Sequence, residues 1–343
     1  MVFMENVGAW LYELGRGLLS AMWSPVAVAL YVVGYIVVLL LSAEALSVAR
    51  YKSFRWVALR LAMLFTAVLA VVLTAATLHF ILTVLSMLEE WGFYFSIYGL
   101  TLYVVGTNVA GYVVSPFLIN RSFYARPDVE LQRVVDRVAE RLGYRRVKAV
   151  VVDGPPNAFA YGNLLAGRYV AVTESLKKML SEEELEAVVG HELGHHINRD
   201  LVVMLLLGML PMLLYYVGRG LVEASLRRSS RRGNPLVAIG LGLLAMAASL
   251  VVQTLVLAFS RLREYYADAT GARVAGKAAM KSALEKIRKH YFTHFADVEG
   301  VRQSKIKALF IYAFVGIYAA PLWDELFLTH PPLEKRFTFI DLL

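Results

Sequence analysis

Long apolar runs alternate with short charged segments along this chain. Five of the runs carry no charged residue, and each approaches or exceeds the roughly 20 residues that a helix needs to cross a bilayer. They cover residues 25–43, 61–88, 91–120, 201–218 and 233–260. A sixth run, at residues 308–323, is shorter and predicts a buried or re-entrant helix rather than a span. The pattern therefore predicts a multi-span α-helical membrane protein.

Residues 122–200 form the most polar part of the chain. Their apolar residues recur at the spacings of short helices and strands. The segment PDVELQRVVDRVAERLG has apolar residues at helical spacing and predicts a helix that ends at Gly143. The segments RVKAVVVD, NAFAYGN and RYVAVTESL predict strands. The segment SEEELEAVVGHELGHH predicts a helix that Ser181 and Glu184 cap together. These elements predict a small α+β domain between the membrane runs.

Composition supports a membrane protein and excludes several kinds of chemistry. Hydrophobic residues make up 58% of the chain, above the roughly 45–50% of ordinary soluble domains. The chain has no cysteine, which excludes disulfides, thiolate ligands and cysteine nucleophiles. The net charge of +8 comes largely from clusters beside the membrane runs, such as RYKSFR and RRSSRR. Such clusters indicate binding to anionic lipid and control of membrane topology. We therefore expect no nucleic-acid partner.

Basic residues usually stay on the cytoplasmic side of a membrane. Their positions predict three spans and then a cytoplasmic segment from residue 121 onward. The RRSSRR segment disagrees, because it would lie outside if runs 201–218 and 233–260 both crossed completely. Two alternatives stay open: the rule fails at this loop, or the two runs form a hairpin that does not cross completely.

The stretch HELGHHINRD carries the first chemical signal, directly before an apolar run. His191 and His195 are four residues apart, so they share one face of the predicted helix and can bind one Zn²⁺. Glu192 lies beside the first histidine and can take a proton from a water at the metal, as the HExxH pattern predicts. His196 is one residue off this face and should point away.

A third ligand follows run 233–260, in the segment RLREYYADATGA. The two apolar runs return the chain to the side of the membrane that holds HELGHH, so Glu264 can complete the metal site. Asp268 lies one helical turn later and can hydrogen-bond a ligand histidine. The alternative for Glu264 is a simple ion pair with Arg261 or Arg263. His290 and His294 form another pair at this spacing, but without a carboxylate partner they predict a solvated helix face.

Several of these motifs together resemble the HtpX-like membrane metallopeptidases, relatives of the type I CAAX prenyl protease. The matching segments are NAFA at 157–160, AVTESL at 171–176, EELEAVVGHELGHHINRD at 183–200, REYYADATGA at 263–272 and THPPLEKR at 329–336. The resemblance covers roughly residue 125 to the end of the chain. It implies a multi-span α-helical membrane protein with an inserted α+β gluzincin-type zinc metallopeptidase domain. The chain has three apolar runs before this domain, where two are commoner among bacterial relatives.

The resemblance also assigns roles. It implies a zinc metalloendopeptidase with one Zn²⁺ on His191, His195 and Glu264, and with Glu192 as the base. His330 and Arg336 would stabilise the oxyanion of the tetrahedral intermediate. A substrate-binding edge strand would come from the NAFA segment, that is from Asn157, Ala158, Phe159 and Ala160.

The resemblance further implies quality control of misfolded or unfolded membrane proteins, cleaved at the cytoplasmic face of the cell membrane. The predicted segments are a membrane region (1–120), the first part of the catalytic domain (121–200), a membrane hairpin (201–260) and the second part of that domain (261–343). A processing protease for lipidated peptides and a catalytically idle scaffold are the alternatives. A scaffold needs no general base, which Glu192 would supply. A transporter is weaker still, because His79 is the one ionisable residue well inside the predicted spans.

Overall fold

The computed structural model describes residues 55–87, 91–227, 235–293 and 330–343. The apolar runs at 25–43 and 308–323, residues 228–232 of the RRSSRR segment and His294 lie outside these ranges. The described elements are, in chain order, α1 (Arg55–Met87), α2 (Trp91–Ser122), β1 (Arg126–Pro127), α3 (Val129–Arg141), β2 (Val147–Val152), β3 (Ala158–Asn163), β4 (Gly167–Thr173), α4 (Glu174–Met179), α5 (Glu182–Ile197), α6 (Asp200–Arg227), α7 (Pro235–Ala275), α8 (Lys277–Thr293) and α9 (Leu333–Leu342).

Four helices, α1, α2, α6 and α7, are long and apolar enough to cross a membrane. They correspond to the four apolar runs that lie within the described ranges. Pro116 does not end α2, which continues to Ser122, and Pro211 lies inside α6. The last two helices extend well beyond the apolar runs that predicted them. At a rise of 1.5 Å per residue, α7 is about 60 Å long, roughly twice the thickness of the hydrocarbon core.

A four-stranded sheet forms the polar part, in the order β1-β2-β4-β3. Strands β2 and β4 are parallel, and β3 pairs antiparallel with β4 as an edge strand. The core of this part lies between the sheet and helices α3, α5 and α8. It contains Leu131, Val135, Val170, Val188 and Ile287, all fully buried.

The prediction of RYVAVTESL as one strand is wrong at its end. Strand β4 stops at Thr173, and Glu174 begins the short helix α4. The Thr173 side chain accepts a hydrogen bond from the backbone N–H of Leu176, as a helix N-cap does. Ser175 donates to the carbonyl of Gly154, which ties the helix to the loop before β3.

Helices α5 and α7 pack unusually closely because glycines face each other where they cross. A Cβ atom on Gly194 would lie 3.2 Å from the Cα of Ala267, and one on Gly271 would lie 2.5 Å from the carbonyl oxygen of Ala187. Gly190 likewise faces the Cα of Gly271. This contact brings the HExxH helix against the part of α7 that carries Glu264.

Candidate metal centre

Helix α5 holds the two histidines at a defined position because both of its ends are fixed. At its start, Ser181 and Glu184 form a reciprocal capping box, as predicted. At its end, Arg199 adopts a left-handed backbone with φ of 56°, and α6 begins at the next residue, Asp200. This two-residue connection turns Asp200 back toward His195.

Two side chains of α5 and one of α7 converge between these helices. The Nε2 atoms of His191 and His195 are 3.3 Å apart. Each of them lies 3.7 Å from a carboxylate oxygen of Glu264. Among the described residues these three form the group whose ligand atoms are close enough to hold a metal ion, all within 4.8 Å of one another.

The other ring nitrogen of each histidine contacts a buried carboxylate. His191 Nδ1 is 2.9 Å from Asp268 Oδ1, and His195 Nδ1 is 2.7 Å from Asp200 Oδ2. A carboxylate accepts, so each Nδ1 carries the proton and each Nε2 is left with a lone pair. Two nitrogen lone pairs and the Glu264 carboxylate therefore face one point, which is unfavourable unless a cation lies there.

The distances fit a zinc ion. Two nitrogens bound to zinc at about 2.0–2.1 Å and at a tetrahedral angle are about 3.3 Å apart, which is the separation of the two Nε2 atoms. Glu264 Oε2 is buried and lies 3.7 Å from His191 Nε2. A buried carboxylate is costly unless it is paired, and a metal ion at this point would pair with it.

Two basic side chains balance the negative charge around Glu264. Arg263 Nη2 donates to Glu264 Oε1 at 3.0 Å, and its Nε lies 3.9 Å from Asp200 Oδ2. His330 Nδ1 lies 2.9 Å from Glu264 Oε2. The ion pair considered as an alternative for Glu264 thus exists with Arg263, but it occupies one carboxylate oxygen and leaves the carboxylate beside the histidines.

Arg336 is fully buried and lies on Asp268 rather than open to the cleft. Its Nε donates to Asp268 Oδ2 at 2.8 Å and its Nη2 donates to Oδ1. Burial disfavours the guanidinium charge, but the Asp268 carboxylate outweighs it and raises the pKa of Arg336. This two-point contact fits a residue that fixes Asp268, and through it His191, better than one that touches the oxyanion directly.

Two neighbours of the histidines on α5 differ in their surroundings. Glu192 is buried, and its role as the base stays a prediction. His196 points away from the metal site, and its Nε2 lies 2.8 Å from the carbonyl oxygen of Tyr169 on β4. Burial lowers the pKa of His196 to about 4, so this imidazole is neutral and donates to the carbonyl. It anchors α5 to the sheet.

The NAFA segment leads into the edge of the sheet beside α5. Asn157 precedes β3, its backbone N–H donates to the Thr173 hydroxyl, and Ala158, Phe159 and Ala160 form the first half of the strand. Strand β4 covers one edge of β3, and α5 packs near it. Ala158, Phe159 and Ala160 are buried as whole residues. Their contact with an extended peptide stays a prediction.

Two residues of this centre were not assigned from the sequence. Asp200 ends the HELGHHINRD segment, whose pattern gives it no role, and Arg263 is predicted only as an ion-pair alternative for Glu264. The HINRD spacing alone does not show that Asp200 reaches His195, because this depends on the left-handed backbone at Arg199. A non-glycine residue in that conformation is uncommon, and no feature of the sequence indicated it.

Comparison with known proteins decides which family this arrangement represents. The model of peptidase family M48 matches residues 125–342. The chain belongs to peptidase family M48. A curated relative from Pyrobaculum aerophilum, named protease HtpX homolog, is 48% identical over 93% of this chain and 98% of its own length. A protein of the same name from Archaeoglobus fulgidus is 44% identical over 93% of this chain and 97% of its own length. The resemblance to HtpX-like metallopeptidases is therefore confirmed.

The fold also has a solved counterpart. The crystal structure of S. mikatae Ste24p aligns with a TM-score of 0.51 at 21% sequence identity, and covers 83% of this chain and 67% of that one. The predicted fold class is thus confirmed: membrane helices with an inserted α+β peptidase domain. Family membership and the four long apolar helices together identify a membrane metalloprotease.

Proposed function

We propose that this membrane metalloprotease is a zinc endopeptidase whose metal is held by His191, His195 and Glu264. The observation that carries the proposal is the convergence of two imidazole Nε2 atoms and a buried carboxylate at zinc-ligand spacing. Nitrogen and carboxylate ligands without thiolates suit a catalytic zinc site that keeps one position open. Asp268 and Asp200 hold the two rings in the ligating tautomer.

Each step of peptide hydrolysis then has a residue in this chain. A bound Zn²⁺ supplies a Lewis acid that lowers the pKa of a water to about 7 and polarises the scissile carbonyl. The Glu192 carboxylate takes a proton from the attacking water and passes it to the departing amine. His330 lies beside Glu264 and can donate to the oxyanion. The oxyanion role of Arg336 stays a prediction, and its contact with Asp268 supports a positioning role.

We propose unfolded or misfolded membrane proteins as substrates, cut at the cytoplasmic face of the cell membrane. An extended peptide can add to the edge strand β3, which runs from Ala158 toward Asn163 next to α5. Backbone pairing of this kind requires a substrate without its own structure but no particular side chain. The basic residues after α2, beginning at Arg121, favour a cytoplasmic position for this domain.

The first experiment follows degradation of a permanently unfolded model protein by the detergent-purified chain with added zinc. Glu192→Gln is compared with Glu183→Gln, which changes an exposed glutamate of the same helix. We expect Glu192→Gln to retain one zinc per chain and lose cleavage by at least about 100-fold, while Glu183→Gln cleaves like the wild type. A chelator should abolish cleavage by both active proteins.

Equal cleavage by wild type and Glu192→Gln would contradict the assignment of the base. Absence of cleavage by a wild type that contains zinc would instead favour the alternative of a processing enzyme with a narrow substrate. Absence of zinc from the purified chain after incubation with excess metal would contradict the metal site itself.

A further inference from the structure

The turn between β3 and β4 presents two leucines to the outside of the protein. Leu164 is 91% exposed and Leu165 is 75% exposed. Leu164 is the most exposed large hydrophobic residue in the part of the chain that the structure describes. Exposed leucines next to each other at the tip of a hairpin are unfavourable in water, so their surroundings need an explanation.

Strand β3 runs alongside the membrane helix α2 toward the interior of its span. At the start of the strand, the ring of Phe159 lies 5.3 Å from the ring of Phe123, just beyond the end of α2. Two residues later, the Tyr161 hydroxyl donates to the side-chain oxygen of Asn120, inside the last turn of α2. Each step along β3 thus contacts α2 further from its end.

The next contact lies deeper in the same helix. The side-chain N–H groups of Asn163 donate to the carbonyl oxygens of Tyr112 and Val113, at 2.9 and 2.8 Å. Both residues belong to the candidate membrane span Gly99–Ser122. From Asn120 to Val113, α2 descends by roughly 10 Å. The turn that follows Asn163 therefore lies at least as deep as the level of Val113.

Pro116 explains why α2 can accept these hydrogen bonds. Proline has no backbone N–H, so the carbonyl of Tyr112, four residues earlier, receives no backbone hydrogen bond from position 116. The Ser115 hydroxyl donates to this carbonyl at 3.0 Å, and the Asn163 amide supplies a second hydrogen bond. In lipid, where no water can substitute, such a group must be satisfied by the protein. The contact thus suits an environment without water.

The same asparagine also satisfies the turn itself. The side-chain oxygen of Asn163 accepts from the backbone N–H groups of Leu165 and Ala166, at 2.9 and 2.7 Å. One amide therefore makes four hydrogen bonds and leaves fewer polar backbone groups exposed at the tip. A turn built in this way can enter an apolar phase at much lower cost than an open loop.

Basic residues lie where the lipid headgroups would be. Arg168, just after the turn, stacks over the ring of Tyr144 at 5.1 Å. Arg199 directly precedes the span that starts at Asp200. Its positive charge also interacts with the Tyr144 hydroxyl. Two arginines around one tyrosine, at the point where a span begins, are typical of a membrane interface. The turn extends past Arg168 on the side of α2.

We propose that the β3–β4 turn inserts Leu164 and Leu165 into the lipid hydrocarbon beside α2. The partner is the acyl-chain region of the leaflet nearest the metal site. The apolar tip continues the lipid-facing surface of α2, and Arg168 remains at the headgroup level. The peptidase domain is therefore anchored by a part of its sheet as well as by its helices.

The absence of cysteine from the chain allows a direct test. Leu164→Cys and Leu165→Cys are each labelled with a nitroxide in phosphatidylcholine nanodiscs, and collisions with oxygen and with a water-soluble nickel complex are measured. Leu118→Cys, 60% exposed within the α2 span, is the lipid reference. Val129→Cys, 71% exposed at the start of α3, is the water reference. All four positions are exposed, so the substitutions should not disturb folding.

We expect the oxygen-to-nickel accessibility ratio at Leu164 and Leu165 to be at least as high as at Leu118, and severalfold higher than at Val129. A ratio like that of Val129 would show that the turn lies in water and would overturn the proposal. Low accessibility to both reagents would show that the tip is covered by protein, which would also overturn it. The measurement requires no proteolysis and is independent of the proposed function.

Discussion

At the scale of single residues, the metal centre depends on carboxylates that do not themselves face the metal. Asp268 and Asp200 fix the tautomer and orientation of His191 and His195. The two aspartates are held in place by different contacts. Arg336 holds Asp268 at two points, whereas Asp200 belongs to the first turn of a membrane helix and has Arg263 as a more distant neighbour.

We predict that Asp200→Asn weakens zinc binding by about 10–100-fold, the usual effect of losing such a partner. An amide keeps the shape of the side chain but loses the charge that favours the protonated Nδ1. Zinc affinity is measured by competition with a coloured chelator, with Glu183→Gln as the control. An unchanged affinity would show that Asp200 serves only to start α6.

At this scale the sequence predicted which side chains come together, but not all of the residues that support them. The spacing of His191, Glu192 and His195 is local, so one helix determines it. Glu264 and Asp268 could be predicted because two apolar runs of similar length return the chain to the same side. Asp200 could not, because its contact depends on the backbone conformation of Arg199.

At the scale of elements, the close packing of α5 on α7 holds the two parts of the centre together. Both sides of the contact are backbone, so a methyl group cannot be accommodated by a side-chain rotation. The most demanding position is Gly271, which faces the carbonyl of Ala187 on α5 and the sulfur of Met280 on α8. Any residue larger than glycine there must separate the helices.

Gly271→Ala should destabilise the protein by about 1–3 kcal/mol, the cost of overpacking a filled interior. It should also weaken zinc binding, because Glu264 moves with α7. Gly208→Ala is the matched control, since a Cβ at this helical position meets nothing within 4 Å. Thermal unfolding and zinc content are measured for both in the same detergent. Equal melting temperatures for the two variants would contradict the packing argument.

Elements were predictable where a single periodicity dominated. Helix α3, strand β2 and the capped start of α5 follow the sequence patterns closely. The error at RYVAVTESL arose because Thr173 suits a strand and a helix cap equally well, so the local pattern does not show where one ends. Pro116 is accommodated inside α2 because the Tyr112 carbonyl, which loses its backbone hydrogen bond to proline, accepts from Ser115 and from Asn163, which is distant in sequence.

At the scale of the whole molecule, Glu184 joins the two parts of the peptidase domain that the membrane helices separate. Its carboxylate accepts from the Ser181 backbone on its own helix, and from Ser282 and Lys286 on α8 at 2.7 Å each. Burial alone would raise the pKa of Glu184, but the hydrogen bonds from Lys286, Ser282 and Ser181 hold it below its ordinary value of 4.5.

The sign of the pH effect follows from this lowered pKa. In the unfolded chain Glu184 binds a proton near pH 4.5, whereas in the folded chain it binds the proton only at a lower pH. The stability that Glu184 contributes is therefore complete above pH 4.5 and is lost as the pH falls below it, by at most about 1.4 kcal/mol per pH unit. Glu184→Gln should lose stability at pH 7 and show a weaker dependence below pH 4.5 than Glu183→Gln does. Parallel acid unfolding curves for the two variants would contradict this.

Removal of the metal should also lower the stability of the whole protein. The centre joins α5 to α7, and without a cation its lone pairs repel one another. We expect a chelator to lower the melting temperature of the wild type and added zinc to restore it, because an ion that binds only the folded state stabilises it. Glu264→Gln should respond much less to either treatment. A wild-type melting temperature that does not change when the chelator is added would contradict a bound metal.

The short connection from α5 to α6 has a mechanical consequence. Only Asn198 and Arg199 separate the metal-site helix from the membrane helix, and Asp200 at the start of α6 holds the His195 ring. A helix that is longer than the local bilayer thickness tilts to match it. A tilt of α6 therefore acts on His195, a proposed metal ligand, through one hydrogen bond. Lipids of different chain length should change the rate of this protease even where they leave its substrates untouched.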